Sequence, residues 1–379
     1  MFKQKSKGNF KMKISKNDLY KRQVILKEFG EEGQQKLQQS TIVIVGCGGL
    51  GSVAAVYLAG SGVGNIHLID FDIVDVSNLH RQVFYTTDDI GKSKAKVLAN
   101  HMRSISPFVQ VTTSDQAITK ANIFDQIDDY DVVVDCTDSL PTKYLLNDYC
   151  VITDHILVYG SLYKNDGYIA SFNIPEGLYN SANLRHAFPK MPKETVPKCS
   201  EIGTLNPIVG IIGLMQANEV IKILSQTGEP LKNQLLIYNS ADNSQFKMRF
   251  EVEKNCDNIG KRGILKIFKN EEYLDPTCDP NNFQNENLLI SMKDFKQKLD
   301  DKSAIIISVI EDEPLNLLFD ISTEIPISSF DVDTLEMDTN KEYHIICRKG
   351  LLSYTVAELL KDEYPELKVF SLKNGIENY

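Results

Sequence analysis

The residues best placed to do chemistry lie at the ends of apolar strands. Thr41-Ile42-Val43-Ile44-Val45 runs directly into Gly46-Cys47-Gly48-Gly49-Leu50-Gly51, a buried strand opening through a glycine turn into a helix. Gly46, Gly48 and Gly51 fit the G-x-G-x-x-G pattern. The first glycine permits the tight turn, the second lets backbone N–H groups approach an anion, and the third allows close helix packing. The ligand implied carries a phosphate, and the turn alone does not separate a dinucleotide from ATP. A second apolar strand ends at Asp70, about 20 residues on, where a carboxylate accepts hydrogen bonds from ribose hydroxyls. Asn78, Arg81 and Gln82 follow in a polar stretch that a hydride-transfer site does not need. Lys92, Lys94 and Lys96 then open a helix whose cations suit phosphates. Asp138 follows Val132-Val133-Val134 at the carboxyl end of its strand, where open α/β sheets place their sites. No His and acid pair of a hydride site follows the glycine loop, which puts a dehydrogenase last among the readings.

Positioning these groups requires an alternating scaffold. Strands are predicted at 41–45, 65–69, 109–113, 131–135 and 156–160, with helices near 50–61, 92–104 and 141–153. That alternation favours parallel pairing with right-handed crossovers, hence a doubly wound, Rossmann-like, mostly parallel sheet. The stretches 166–174 and 234–250 alternate apolar and polar residues and read as antiparallel additions. Between them, 176–203 is rich in Pro, Lys and Asn and reads as a long crossover loop above the site; helix 207–226 follows, beginning at Pro207. From 253 to 285 the chain turns polar, which predicts a linker, and a small α/β domain over 286–379 follows.

Composition fits two domains: 379 residues exceed one ordinary domain, and 42% hydrophobic residues supply a core. No run approaches the roughly 20 apolar residues of a membrane span, so no membrane partner is expected. The net charge of -10 argues against nucleic-acid binding, which needs a basic face. Residues 1–14 are basic without the apolar core of a signal peptide and read as a disordered leader of a cytoplasmic protein. The seven cysteines are scattered and odd in number, as reduced thiols are. Cys47 and Cys136 sit in apolar company and read as packing residues.

Taken in order, Gly46 to Gly51, Asp70 to Gln82, Lys94, Asp135-Cys136-Thr137-Asp138, Pro197 to Gly203 and Asn206 to Gly210 resemble the ThiF/MoeB/HesA adenylyltransferases over residues 15–252. These are bacterial relatives of ubiquitin-activating enzymes. The resemblance implies ATP-dependent adenylylation of the C-terminal Gly-Gly carboxylate of a small ubiquitin-like sulfur carrier of the ThiS/MoaD type, on the way to thiamine or molybdopterin. Such a reaction brings anions together and relies on positioning and on cations aimed at the developing charge. By resemblance, Asp70 holds the ribose, Asn78, Arg81 and Lys94 contact the phosphates, Gln82 lies in the same pocket and Asp138 binds Mg²⁺. Arg22 matches an arginine that reaches into the partner subunit's nucleotide pocket, which implies a homodimer. Cys199 matches a cysteine that in some members forms a covalent or persulfide link to the carrier.

Residues 286–379 resemble a rhodanese domain, in which Cys347 heads a loop of backbone N–H groups at a helix N-terminus. The resemblance implies sulfur loading of the carrier, with a cysteine desulfurase as donor. Gly350 fits the loop, but Leu352 replaces its usual arginine and Ser308-Val309-Ile310 replaces an Asp-x-Arg, so a degenerate fold kept for packing or docking stays open. Many family members also hold a structural zinc through two Cys-x-x-Cys pairs. Here Ala182 to Pro189 has no cysteine, and Cys256-Asp257-Asn258-Ile259 keeps one of its two. His186 and Cys256 alone do not make a structural site, so no zinc is expected and the subdomain must be held by packing or be mobile. Two further readings remain: adenylylation of another acceptor, such as a peptide C-terminus, and a non-catalytic nucleotide-binding module. The retained Arg81, Lys94 and Asp138 argue against the second.

Overall fold

The computed structural model describes residues 15–177, 179–192, 203–252, 259–273, 286–301, 305–310, 319–326, 330, 332, 335, 337–348, 350–373 and 375–376. The chain divides into two compact units, Met1–Leu274 and Asp275–Tyr379.

The first unit opens with α1 (Lys16–Val24) and α2 (Gly30–Gln39), then alternates β1 (Thr41–Val45), α3 (Gly49–Ser61), β2 (Asn65–Ile69), α4 (Lys94–Ile105), β3 (Gln110–Ser114), α5 (Ile123–Gln126), β4 (Val132–Asp135), α6 (Leu140–Thr153) and β5 (Ile156–Tyr163). There follow β6 (Asp166–Phe172), the small β7 (Pro175–Glu176) and β8 (Tyr179–Asn180), α7 (Leu184–Ala187), α8 (Asn206–Ser225), β9 (Gln234–Asn239), β10 (Gln245–Arg249) and α9 (Lys261–Asn270). The main sheet runs β10-β9-β6-β5-β4-β1-β2-β3. Strands β1 to β5 pair in parallel, and β6, β9 and β10 add antiparallel to one edge. This is the doubly wound sheet with antiparallel additions that the alternation predicted.

The pattern of β1 explains its place at the centre. Ile42 and Ile44 pack into one core with Leu50, Leu98 and Ile212, while Val43 and Val45 pack into the opposite core with Leu146 and Tyr149. A strand buried on both faces reads as a continuous apolar run. Helix α8 crosses α3 at backbone contact, since a Cβ on Gly213 would stand 2.7 Å from the Leu50 carbonyl oxygen. With 20 residues, α8 is long and apolar enough to cross a membrane, beyond what the sequence reading allowed. In this fold it is an interior helix, burying Ile208, Val209, Ile212, Ala217 and Val220. The stretch expected as a linker contains α9, whose Phe268 packs against Phe124 and Tyr273. A single apolar face among Lys261, Arg262, Lys266 and Lys269 is easily lost in a polar composition.

The second unit contains β11 (Leu289–Ile290), α10 (Met292–Asp300), β12 (Ile305–Ser308), β13 (Thr323–Glu324), β14 (Glu342–Ile346), α11 (Leu351–Glu363) and β15 (Lys368–Leu372). Its sheet, β11-β15-β14-β12-β13, is parallel throughout.

Candidate active site

Strands β2 and β3 lie to one side of β1 and β4 and β5 to the other, so the carboxyl ends of β1 and β4 flank the crevice in which such sheets bind ligands. The glycine turn fills its floor. Gly46 has φ +91°, and a Cβ there would stand 2.8 Å from the Cys136 carbonyl oxygen. A Cβ on Gly51 would lie 1.8 Å from the Gly46 carbonyl oxygen, and one on Gly49 2.3 Å from Cγ1 of Val209. Backbone and helix α8 therefore close on the turn from three sides, and side chains are excluded.

Asp70, buried at the end of β2, ties this turn to its neighbour. One carboxylate oxygen accepts the Cys47 N–H at 2.6 Å and the other the Asp72 N–H at 2.8 Å. Burial pushes its pKa up to about 6, with Lys94 opposing the shift. Lys94, itself buried, bonds Asp72 at 2.9 Å. Two of the predicted residues, Asp70 and Lys94, are thus drawn together beside the glycine turn. Gln82 joins them: it is buried, its Oε1 has no partner among the described residues, and its Nε2 lies 3.5 Å from where a Gly48 Cβ would be. An orphaned buried acceptor beside a turn of backbone donors fits a polar ligand such as a nucleotide.

Other predicted residues stand differently. Arg81 is half-buried and turns Nη1 back to the Ser77 carbonyl at 2.8 Å, while the Asn78 carbonyl accepts the Gln82 N–H at 2.9 Å. Asp138 is exposed in the turn before α6, and Arg22 is exposed on α1. Cys199 lies outside the described residues. Cys47 and Cys136 are buried, and desolvation pushes both thiols up, as befits packing residues. His186 is engaged within its own turn, its Nδ1 accepting the Asn183 N–H at 3.1 Å.

Sequence reasoning missed the groups beneath the crevice. Lys143 on α6 reaches Asp135 at the end of β4, with Nζ 3.2 and 3.1 Å from the two carboxylate oxygens and 2.6 Å from the Gly160 carbonyl. Asp135 in turn accepts the Thr137 N–H at 3.0 Å and its hydroxyl at 2.8 Å, which fixes the turn presenting Asp138. Tyr85, also missed, donates to the Cys47 carbonyl at 2.7 Å. A lysine in a helix reads from sequence as a solvated charge, so only the Asp-Cys-Thr-Asp motif hinted at this layer.

In the second unit, Cys347 sits buried at the end of β14. Its sulfur receives the Gly350 N–H at 3.1 Å and the Ser353 N–H at 3.3 Å, with the Ser353 hydroxyl at 3.2 Å. Gly350 has φ +86°, which opens the loop into α11. A Cβ on Gly375 would stand 2.1 Å from the Arg348 carbonyl oxygen, so the backbone at 375 also packs on this loop through a glycine.

Residues 20–258, holding the glycine turn, Asp70 and Lys94, match the ThiF family. The chain belongs to the ThiF family. The chain is 38% identical over 246 residues to a sulfur carrier protein adenylyltransferase of Thermus thermophilus, covering 64% of this chain and 90% of the relative. Similarity extends through the second unit: an adenylyltransferase and sulfurtransferase MOCS3 of Drosophila grimshawi is 32% identical over 386 residues, covering 96% of this chain and 84% of that protein. Among solved structures, the E. coli MccB crystal structure with ATP aligns over 65% of this chain and 75% of its own, with TM-score 0.56 and 23% identity. That likeness shows the ThiF-type fold.

Proposed function

We propose that this ThiF-family chain adenylylates the C-terminal Gly-Gly carboxylate of a small ubiquitin-like sulfur carrier and then furnishes it with sulfur. The observation that carries the reading is the convergence of the glycine turn, Asp70 and Lys94 at the crevice of the sheet, in a chain aligned over 96% of its length with an adenylyltransferase and sulfurtransferase. A carrier carboxylate oxygen attacks the α-phosphorus of ATP, the bond to the bridging oxygen breaks, and pyrophosphate leaves with the electron pair. Asp70 receives the ribose, the turn's N–H groups and Gln82 line the pocket, and Lys94 and Arg81 supply cations to the phosphates. An ammonium has three donors, and Lys94 shows one engaged with Asp72. Mg²⁺, held by Asp138, would neutralise phosphate charge. In a homodimer, Arg22 of a second copy completes the pocket.

Cys347, cradled by two N–H groups, suits a persulfide loaded by a cysteine desulfurase. Its terminal sulfur attacks the carrier's acyl-adenylate and displaces AMP; a second thiol then cleaves the S–S bond, leaving the carrier thiocarboxylate and a disulfide. Cys199 is the other candidate for the persulfide. ATP–pyrophosphate exchange tests the first step. Exchange that requires a carrier's intact Gly-Gly tail, and is lost in a folded Asp138→Ala variant, is expected. ATP binding without exchange on any carrier would move the reading to another acceptor or to a binding module.

A further inference from the structure

The family resemblance implies a zinc tying the crossover segment after β8 to the segment around 256–259, and the donors here do not fit one. Ala182 to Pro189 has no cysteine, His186 is engaged in its own turn, and Ile259 stands where the second Cys-x-x-Cys would end. Tetrahedral zinc needs four ligands. The same two segments are instead joined directly, the Asn183 side-chain amide donating to the Ile259 carbonyl at 2.9 Å.

Two residues beyond Asn183 lies a buried ion pair. Arg185 on α7 grips Asp148 on α6 through two bonds, Nε to Oδ1 at 2.8 Å and Nη2 to Oδ2 at 2.6 Å, with both side chains almost fully buried. Each carboxylate oxygen takes a second donor, the Asn147 amide on Oδ1 and the Tyr273 hydroxyl, arriving from beyond α9, on Oδ2. The guanidinium also stacks 4.9 Å over the Tyr144 ring and donates to the Pro189 carbonyl at 3.3 Å. Tyr144 donates to the carbonyls of Phe188 and Lys190 at 3.0 and 2.8 Å. A bidentate pair whose carboxylate oxygens each take two donors is costly to break from one side, because the remaining charge would be buried alone.

We propose that this clamp, Asp148, Arg185 and Tyr273 with the Asn183–Ile259 bond, docks the root of the crossover segment and the α9 segment onto α6 without a metal. The strength of a bidentate pair then governs how firmly residues 184–190 are held.

The test uses the full chain, with zinc content measured by mass spectrometry and amide hydrogen exchange followed with and without a chelator. We expect less than 0.1 zinc per chain, on the order of trace occupancy, and no change in exchange on chelation. Arg185→Met should speed exchange in 184–190 and 259–273 at least about tenfold while β1 and β2 stay protected, as a local opening does. Should that variant fail to fold, Tyr273→Phe removes a single hydroxyl and should give the same pattern more weakly. Stoichiometric zinc whose removal frees 184–190, or a folded Arg185→Met with protection unchanged there, overturns the proposal. Neither readout uses ATP or a carrier, so the proposal stands or falls apart from the adenylylation reading.

Discussion

Replacing Lys143 with Met is the sharpest test of how the crevice is built. In the wild type the ammonium lies 3.2 and 3.1 Å from the Asp135 oxygens and 2.6 Å from the Gly160 carbonyl, with 2% and 0% of the two side chains exposed. Met fills much of the same volume but leaves a carboxylate buried with only the Thr137 donors. Breaking a buried pair from one side costs about 3–5 kcal/mol. For a unit of this size, at about 2–4 °C per kcal/mol, the melting temperature should fall by about 6–20 °C. Scanning calorimetry reads this directly, and pyrophosphate exchange should fall as well, because Asp135 fixes the Thr137 turn beside Asp138. The companion Asp135→Asn/Lys143→Met removes both charges yet keeps an amide oxygen for Thr137, and should recover all but about 1–2 kcal/mol of stability. A single variant melting within about 2 °C of wild type, or a double variant no better than the single, refutes the argument, since the expected loss is several-fold larger.

Ribose binding should follow the ionisation of Asp70, whose carboxyl is raised to about 6 by burial. Because the folded value lies above that of a free aspartate, the folded state binds this proton more tightly, and stability declines as pH rises from about 4 to about 6 before levelling. Binding runs the other way: adenosine, which carries no titrating phosphate, should bind up to about tenfold more weakly at pH 5 than at 7.5, and Asp70→Asn should abolish the dependence in calorimetric titrations. Gly51→Ala places a methyl 1.8 Å from the Gly46 carbonyl oxygen, so ATP binding by equilibrium dialysis should disappear even where circular dichroism shows a folded chain. Cys347→Ser should leave pyrophosphate exchange within about twofold of wild type while preventing sulfur labelling of the protein by a desulfurase and cysteine, traced as persulfide mass; an equal loss of both would place Cys347 in the first step.

What the sequence disclosed and what it hid divide along physical lines. β1 was legible because four apolar residues, Ile42 to Val45, buried on both faces, end at glycines, and Asp70 because it closes the next strand. Lys94 was legible as a cation but not as a buried one held by Asp72. Arg81 was singled out by position, while its bend toward Ser77 depends on a loop conformation that no spacing encodes. The buried long-range pairs were invisible: Arg185 meets Asp148 across 37 residues, and Tyr273 meets it across 125. Only the folded sheet brings such groups together, and one-dimensional patterns of polarity carry no record of it. Helix α9 escaped for the opposite reason, its apolar face being short against a basic background.

The strand order of the second unit bears on its history. Among the described residues its first strand, β11, pairs with its last, β15, Leu289 lying opposite Ser371. Polypeptide therefore enters and leaves this sheet side by side. A module with that layout can be spliced onto another gene, excised, or rejoined end to end without rethreading any strand. Its union with a ThiF-family enzyme calls for a new junction and no new topology, the structural condition for a cassette that recombination can move whole.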